Sequence, residues 1–371
     1  MHLLTLFAVA LVVTVLLVPL VRRLAVKFGI VDMPGPRRVN KKPIPRMGGV
    51  AMFVGLIIAL VLEYILEWTG FWEGPFLLDW GINVQFVGIV VGMTVIVGVG
   101  VLDDIFSLRP GVKFLGQLVA ACIIACTGTL LARFHLPLSS TIVALDFWAY
   151  PITVLYLVCF INIINLIDGL DGLAAGISGI AALTLFVLTT TLYRTDAAII
   201  SLILVGVCIG FLFYNFNPAS IFMGDSGSML LGLMLGTISL LGSARFSSVT
   251  IMIVPIIIAL VPIIDTFAAI VRRLREHKPI QQADAGHIHH RLLRAGFTQR
   301  KAVLLIYAWT AVLSIGALLI WEFSGIVKYS VLIVLFIISA IIVWRLGLFG
   351  PIRKRHGKWK NDPPDPDDAE S

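Results

Sequence analysis

AYPITVLYLVCFINIINLIDGLDGLAAGISGIAALTLFVLTTTL, residues 149–192, holds two apolar runs, 149–166 and 174–192, parted by the break IDGLDG at 167–172. Each run approaches the roughly 20 apolar residues that a helix needs to cross a bilayer core. A carboxylate inside hydrocarbon is costly, so Asp168 and Asp171 mark a point where the chain leaves the membrane. The same ruler applied outward gives about eleven spans, near 3–21, 47–66, 83–102, 113–132, 149–166, 174–192, 198–216, 228–242, 249–271, 302–321 and 329–347. Those at 149–166 and 228–242 are short or glycine-interrupted, which is tolerable where a helix end lines a polar cavity. The first span has no basic leader before it and is expected to persist as a span.

Composition agrees. Of 371 residues, 59% are hydrophobic and 13% charged, with mean hydropathy +1.00. Soluble domains carry about 25% charged residues. Disorder, collagen, a coiled coil and a nucleic-acid-binding domain are excluded on this arithmetic. The expectation is an all-α polytopic integral membrane protein, with residues 1–350 forming one transmembrane catalytic domain. Residues 351–371 form a tail, basic then acidic, expected to be disordered and to rest its basic part on anionic headgroups. Cys122, Cys126, Cys159 and Cys208 lie inside apolar runs without metal-ligand company and read as small core residues.

The net charge of +7 is distributed by side. Segments 22–46, 103–113, 272–301 and 348–371 hold 23 Lys and Arg, against four in the alternate loops. That bias places the first group in the cytoplasm, with the N-terminus outside and the C-terminus inside. On this topology Asp103, Asp104, Asp168, Asp171, Asp225 and Asp265 all fall at cytoplasmic helix ends. Any one of them serves equally well as a cap or a solvated loop residue. Six on one face would repel one another, which calls for a divalent metal, cationic side chains, or both.

Local patterns sharpen this. Asp168 and Asp171 are three apart and share a face if the turn is helical. Gly169 and Gly172 after them allow close backbone approach to a ligand, and Asn165 adds an amide one turn earlier. In YNFNPASIFMGDSGS, 214–228, Gly224 and Gly227 bracket Asp225 in what reads as a tight loop. Such a loop with one carboxylate suits a metal–phosphate site. Phe222 is either a stacking surface for a base or an apolar anchor. In GHIHHRLLRAG, 286–296, His287, His289, His290 and Arg291 cluster without zinc-motif spacing. Phosphate binding or proton transfer fits them better, and a plain amphipathic loop is the bland alternative. Asp265, in PIIDTF, has a context that carries no other chemistry and reads as structural. Arg37, Arg38, Lys41, Lys42 and Arg46 read mostly as topogenic charge.

LDD at 102–104, NLIDGLDGLAAG at 165–176, FMGDSGS at 222–228 and HIHHRLL at 287–293 occur in one order. Together they resemble the polyprenyl-phosphate N-acetylhexosamine-1-phosphate transferases. That family includes the enzymes that start O-antigen and teichoic-acid linkage synthesis and the phospho-MurNAc-pentapeptide translocase of peptidoglycan synthesis. The resemblance runs from about Asp32 to Arg294. It implies transfer of a sugar-1-phosphate from a UDP-sugar to undecaprenyl phosphate at the cytoplasmic face of a bacterial inner membrane. UMP is released, Mg²⁺ is required with Mn²⁺ as a substitute, and the enzyme is a homodimer.

By motif match, Asp225 is similar to the Mg²⁺-binding residue, with Asp103 and Asp104 beside the metal and the acceptor phosphate. Asp103 is the candidate for deprotonating the polyprenyl phosphate, with simple charge positioning as the alternative role in that family. Asn165, Asp168 and Asp171 are similar to nucleotide-pocket residues, Phe222 to the aromatic against uracil, Asn215 to the pocket amide and Lys41 to a nucleotide-reaching lysine. His287, His289 and His290 resemble the loop closing on the diphosphate, and Arg291 a contact to the sugar phosphate or N-acetyl group. HIHHRLL is closer to the GlcNAc-1-phosphate branch than to the PxHHH-like form of the peptidoglycan translocases, so UDP-GlcNAc is the expected donor. A CDP-alcohol phosphotransferase would need Ala-Arg soon after the first Asp-Gly, and Ala174-Ala175 stands there instead. A cation-coupled transporter would place its acids at mid-span.

Overall fold

The computed structural model describes residues 2–34, 42–78, 81–135, 142–243, 255–257, 259–275 and 286–349. The tail 351–371 and Lys41 lie outside them. The helices are α1 (His2–Lys27), α2 (Gly48–Trp68), α3 (Val84–Phe106), α4 (Pro110–Cys126), α5 (Ala149–Ile167), α6 (Leu173–Thr191), α7 (Thr195–Asn215) and α8 (Gly224–Ser243). They continue with α9 (Leu260–Arg275), α10 (Ile288–Arg294), α11 (Gln299–Glu322) and α12 (Gly325–Leu346). Among the described residues the only strands form three two-stranded hairpins: β1 (Val31–Asp32) with β2 (Ile44–Pro45), β3 (Leu77–Leu78) with β4 (Gly81–Ile82), and β5 (Arg133–His135) with β6 (Ile142–Ala144). The protein is an all-α polytopic membrane protein.

Nine described helices are long and apolar enough to cross a membrane, and α4 is a shorter apolar helix. These ten match ten of the eleven expected spans. The expected span at 249–271 is described only in part. There the described helix, α9, has 16 residues, carries Asp265, and ends in Arg272, Arg273 and Arg275 beyond the expected span. Residues 244–254 and 258 lie outside the described residues.

The bundle is organised around α8, which packs against α2, α3, α5 and α6. Its sequence, GDSGSMLLGLMLGTISLLGS, is apolar or small on every side, as a helix enclosed by other helices requires. Glycines set the approach distances. A Cβ at Gly49 would stand 2.0 Å from the Gly227 nitrogen, and one at Gly100 would stand 2.4 Å from the Ser226 Cα. The first turn of α8 is therefore wedged between the start of α2 and the end of α3, backbone against backbone.

One end of the bundle gathers the chemistry-bearing segments. The ends of α3, α5 and α7 meet the starts of α4, α6, α8 and α11 there, closed by the β1–β2 hairpin and α10. At the opposite end, His2 of α1 pairs with the fully buried Glu63 of α2.

Gly100→Ala should lower detergent-state stability by about 1–3 kcal/mol, because the new methyl meets backbone that cannot rotate away. Gly98→Ala is its control on the same helix, since a Cβ there meets nothing within 4 Å. Thermal unfolding followed by tryptophan fluorescence separates them, and equal melting temperatures would contradict the wedge.

Candidate active site

The gathered end encloses a cavity of about 360 Å³. Of the residues singled out in the sequence that the structure describes, Asp104, Asn165, Asp168, Asp171, Asn215, Phe222, Asp225, His289 and His290 line it, while Asp103, His287 and Arg291 do not.

Asp225 occupies the first turn of α8 instead of a loop, with Gly224 before it at φ +70°. Only glycine fits at 224, because a Cβ would strike the Asp104 carboxylate at 2.4 Å. Asp104, at the end of α3, caps α8 from outside. Its Oδ1 accepts the Asp225 N–H at 2.8 Å, and its Oδ2 accepts the Ser226 N–H at 3.2 Å and the Ser226 hydroxyl at 2.8 Å. Both oxygens are thus spent on holding Asp225 in place.

Lys113, in the first turn of α4, sits behind Asp225. Its Nζ donates to Asp225 Oδ1 at 2.6 Å and pairs with Asp103 Oδ2 at 3.0 Å. The other oxygen of Asp103 accepts the Leu108 N–H at 2.7 Å. Asp103 therefore anchors the α3–α4 turn and the lysine. Asn165 donates to Asp225 Oδ1 and to the Ser228 hydroxyl. Lys113 was counted only as topogenic charge. Its one local signal is a cation at a helix start, where the helix dipole disfavours it.

The 168–172 segment is not helical. Asp168 ends α5, and Gly172 at φ +78° starts α6, so the two carboxylates diverge. Asp171 Oδ2 accepts from Asn217 Nδ2 at 2.8 Å and the Ala219 N–H at 3.0 Å. Among the described residues Asp168 has no hydrogen-bond or ion-pair partner. Burial, then the charges of Asp225, Asp104 and Asp171, push its carboxyl up to about 8. Gly169 does not clear room for a ligand. The space its Cβ would fill belongs to the His289 ring, 2.7 Å away. Asn215 likewise spends its amide on the fold, accepting the Gly172 N–H and donating to the Ile221 carbonyl. Phe222 is fixed by backbone bonds to Pro45 and Gly48.

The histidine segment divides in two. Asp265 accepts from His287 Nδ1 at 2.8 Å and from the Ile288 N–H at 2.7 Å, so this pair seats α10. Arg291 donates to the carbonyls of Gly286, Leu346 and Gly347, holding α10 to the end of α12 and not facing the cavity. His289 and His290 reach the cavity. Burial and the neighbouring His290 depress His289 to about 3, so it acts there as a neutral ring and not as a cation. Arg46 and Asp32 are unforeseen members of the cavity wall. Nothing local to PRMGG distinguishes Arg46 from topogenic charge; only the packing of Gly48 and Gly49 onto the 222–227 segment brings it there.

Among the described residues no three His, Cys, Asp or Glu side chains converge as a metal cage. Mg²⁺ needs none, since it commonly binds one or two carboxylates and takes its other ligands from phosphates and water. The donor set fits it: Asp168 is uncommitted, Asp225 points into the cavity, and carboxylates outnumber the cations around them.

A bundle of membrane-spanning helices with a carboxylate-lined cavity at one end defines a polar site within a membrane protein. The model of glycosyl transferase family 4 matches residues 86–243. The chain is 38% identical over 342 residues to a probable undecaprenyl-phosphate N-acetylglucosaminyl 1-phosphate transferase of Bacillus subtilis, covering 92% of this chain and 91% of that one. A decaprenyl-phosphate N-acetylglucosaminephosphotransferase of Mycolicibacterium smegmatis is 36% identical, over 80% of this chain and 77% of its own. An undecaprenyl-phosphate alpha-N-acetylglucosaminyl 1-phosphate transferase of Haemophilus influenzae is 29% identical, over 91% and 94%. The chain belongs to glycosyl transferase family 4.

The raised Asp168 has a sign that can be measured. The native state holds its proton up to about pH 8 while the unfolded chain releases it near 3.8, so stability falls as pH rises between these values. In EDTA, the wild-type melting temperature should drop between pH 5.5 and 8.5 by more than that of Asp168→Asn. Parallel curves would remove Asp168 from this role.

Proposed function

We propose that this protein transfers GlcNAc-1-phosphate from UDP-GlcNAc to undecaprenyl phosphate, releasing UMP. The observation that carries the reading is the cluster of Asp225, Asn165 and Asp168 in one cavity, with Lys113 bonded to Asp225 from behind its wall, in a chain whose relatives carry that activity in their names. An oxygen of the lipid phosphate attacks the phosphorus that bears the sugar. The bond from that phosphorus to the oxygen bridging to UMP breaks, and the electron pair leaves with UMP. One phosphoanhydride is broken and one made, so no nucleotide hydrolysis is needed. The barrier lies in bringing two anions together, which positioning and positive charge relieve.

Asp225 is the residue that would hold Mg²⁺, with Asp168 as the second uncommitted carboxylate and Mn²⁺ as a substitute ion. The ion would neutralise charge on the transferring phosphoryl group. Lys113 holds Asp225 aimed at the cavity, and Asp103 orients Lys113. That place for Asp103, outside the cavity with both oxygens engaged, favours charge positioning over proton abstraction. Phe222 offers the uracil a flat apolar face, and the neutral His289, with His290 beside it, offers ring nitrogens to the diphosphate. The charge bias of the loops supports a cytoplasmic site in a bacterial inner membrane, and homodimer assembly is part of the same reading. The peptidoglycan translocase remains the second reading of this chemistry, and the relatives' names favour GlcNAc.

Purified protein with undecaprenyl phosphate and Mg²⁺ should release UMP from UDP-GlcNAc and not from UDP-MurNAc-pentapeptide. Asp225→Asn should lower the rate about 10²–10³-fold, as loss of one preorganised electrostatic group does. Release from the pentapeptide donor instead would move the protein to the other branch.

A further inference from the structure

Among the described residues, Arg46 is the one Lys or Arg side chain that lines the cavity. Its guanidinium pairs with Asp32 across the β1–β2 hairpin, and 27% of its side chain stays open. The backbone fixes its place. The Arg46 N–H donates to the Ile30 carbonyl at 3.1 Å, the Phe222 N–H donates to Pro45 at 2.8 Å, and the Gly48 N–H donates to Phe222 at 2.9 Å. Arg46 therefore stands beside Phe222, while Lys113 is committed behind Asp225. The remaining wall is rich in carboxylates, which repel an anionic ligand.

We propose that Arg46 grips the diphosphate of the UDP-sugar donor, and that Asp32 holds its guanidinium over the cavity until the donor arrives. This rests on the transferase reading above. A guanidinium is a planar fork that matches two phosphate oxygens at once, and a diphosphate presents more charge than the single carboxylate it displaces. Its position beside Phe222 assigns it to the nucleotide donor and not to the lipid phosphate.

The test is steady-state UMP release by full-length wild type, Arg46→Gln and Arg46→Lys in detergent, varying UDP-GlcNAc and undecaprenyl phosphate separately. UDP and uridine serve as competitive probes, and melting temperature is recorded alongside. Arg46→Gln should raise the KM for UDP-GlcNAc about tenfold or more, the size of one lost charge-assisted contact. Its KM for undecaprenyl phosphate should stay within about twofold, and inhibition by UDP should weaken while that by uridine holds. Arg46→Lys should fall between, since it keeps the charge without the fork; it carries the test if the Gln variant does not fold. An unchanged donor KM, a rise confined to the lipid KM, or equal weakening of UDP and uridine would each overturn the assignment. A wild type that releases no UMP would sink the transferase reading itself, a result distinct from any of these.

Discussion

The carboxylate of Asp104 joins two membrane helices end to end, and the site depends on that junction. It takes the first N–H groups of α8, which would otherwise be unpaired at a buried helix start. A negative group at that terminus also meets the positive end of the helix dipole. Held this way, α8 presents Asp225 to the cavity at a fixed angle. Gly49 and Gly100 let α2 and α3 close around the same turn. A site built on rigid helices and locked by backbone contacts holds its geometry better than one built on loops.

That junction separates the carboxylates into two kinds. Asp104 and Asp265 have both oxygens bound by protein donors, Asp171 has two donors on one oxygen, Asp103 is bound to a backbone N–H and Lys113, and Asp32 faces Arg46. Among the described residues, Asp168 alone of the six acids read at helix ends is left without a partner. Crowding of acids at one membrane face thus has two causes: most of the acids assemble the floor, and few are left to act on a ligand. Mutating a saturated acid and mutating a free one would both silence the protein, for different physical reasons.

The spans, the motif order and the convergence of Asp104, Asp168, Asp171 and Asp225 were legible in the sequence because hydropathy and charge placement are one-dimensional signals. What each side chain does there was not. Asp104 and Asn215 carry the right chemistry for a ligand yet spend it on the backbone of other segments, and no spacing reports a contact 121 residues away. Arg291 lies two residues from the cavity-lining His289 but turns to the end of α12. Gly169 reads as room for a ligand and is room for a histidine ring. Arg46 and Lys113 fail in the opposite direction. Both were absorbed into the charge bias that orients a membrane protein, a bias that hides any cation with a second task.

Among the described residues, fixed positive charge around the cavity is scarce, and that fits the proposed exchange. Both substrates are anionic phosphates, and so are both products. A wall rich in lysine and arginine would bind all four tightly and release none, lowering KM without raising turnover. The described wall, carboxylates with one paired guanidinium, would do the reverse under the proposed reading: without a dissociable cation it would repel phosphate, and charge supplied with the substrate would leave with the product. Lys113, bound to two carboxylates, is an orienting group. Its charge is already spent on Asp225 and Asp103, so it steadies Asp225 and adds no uncommitted positive charge there.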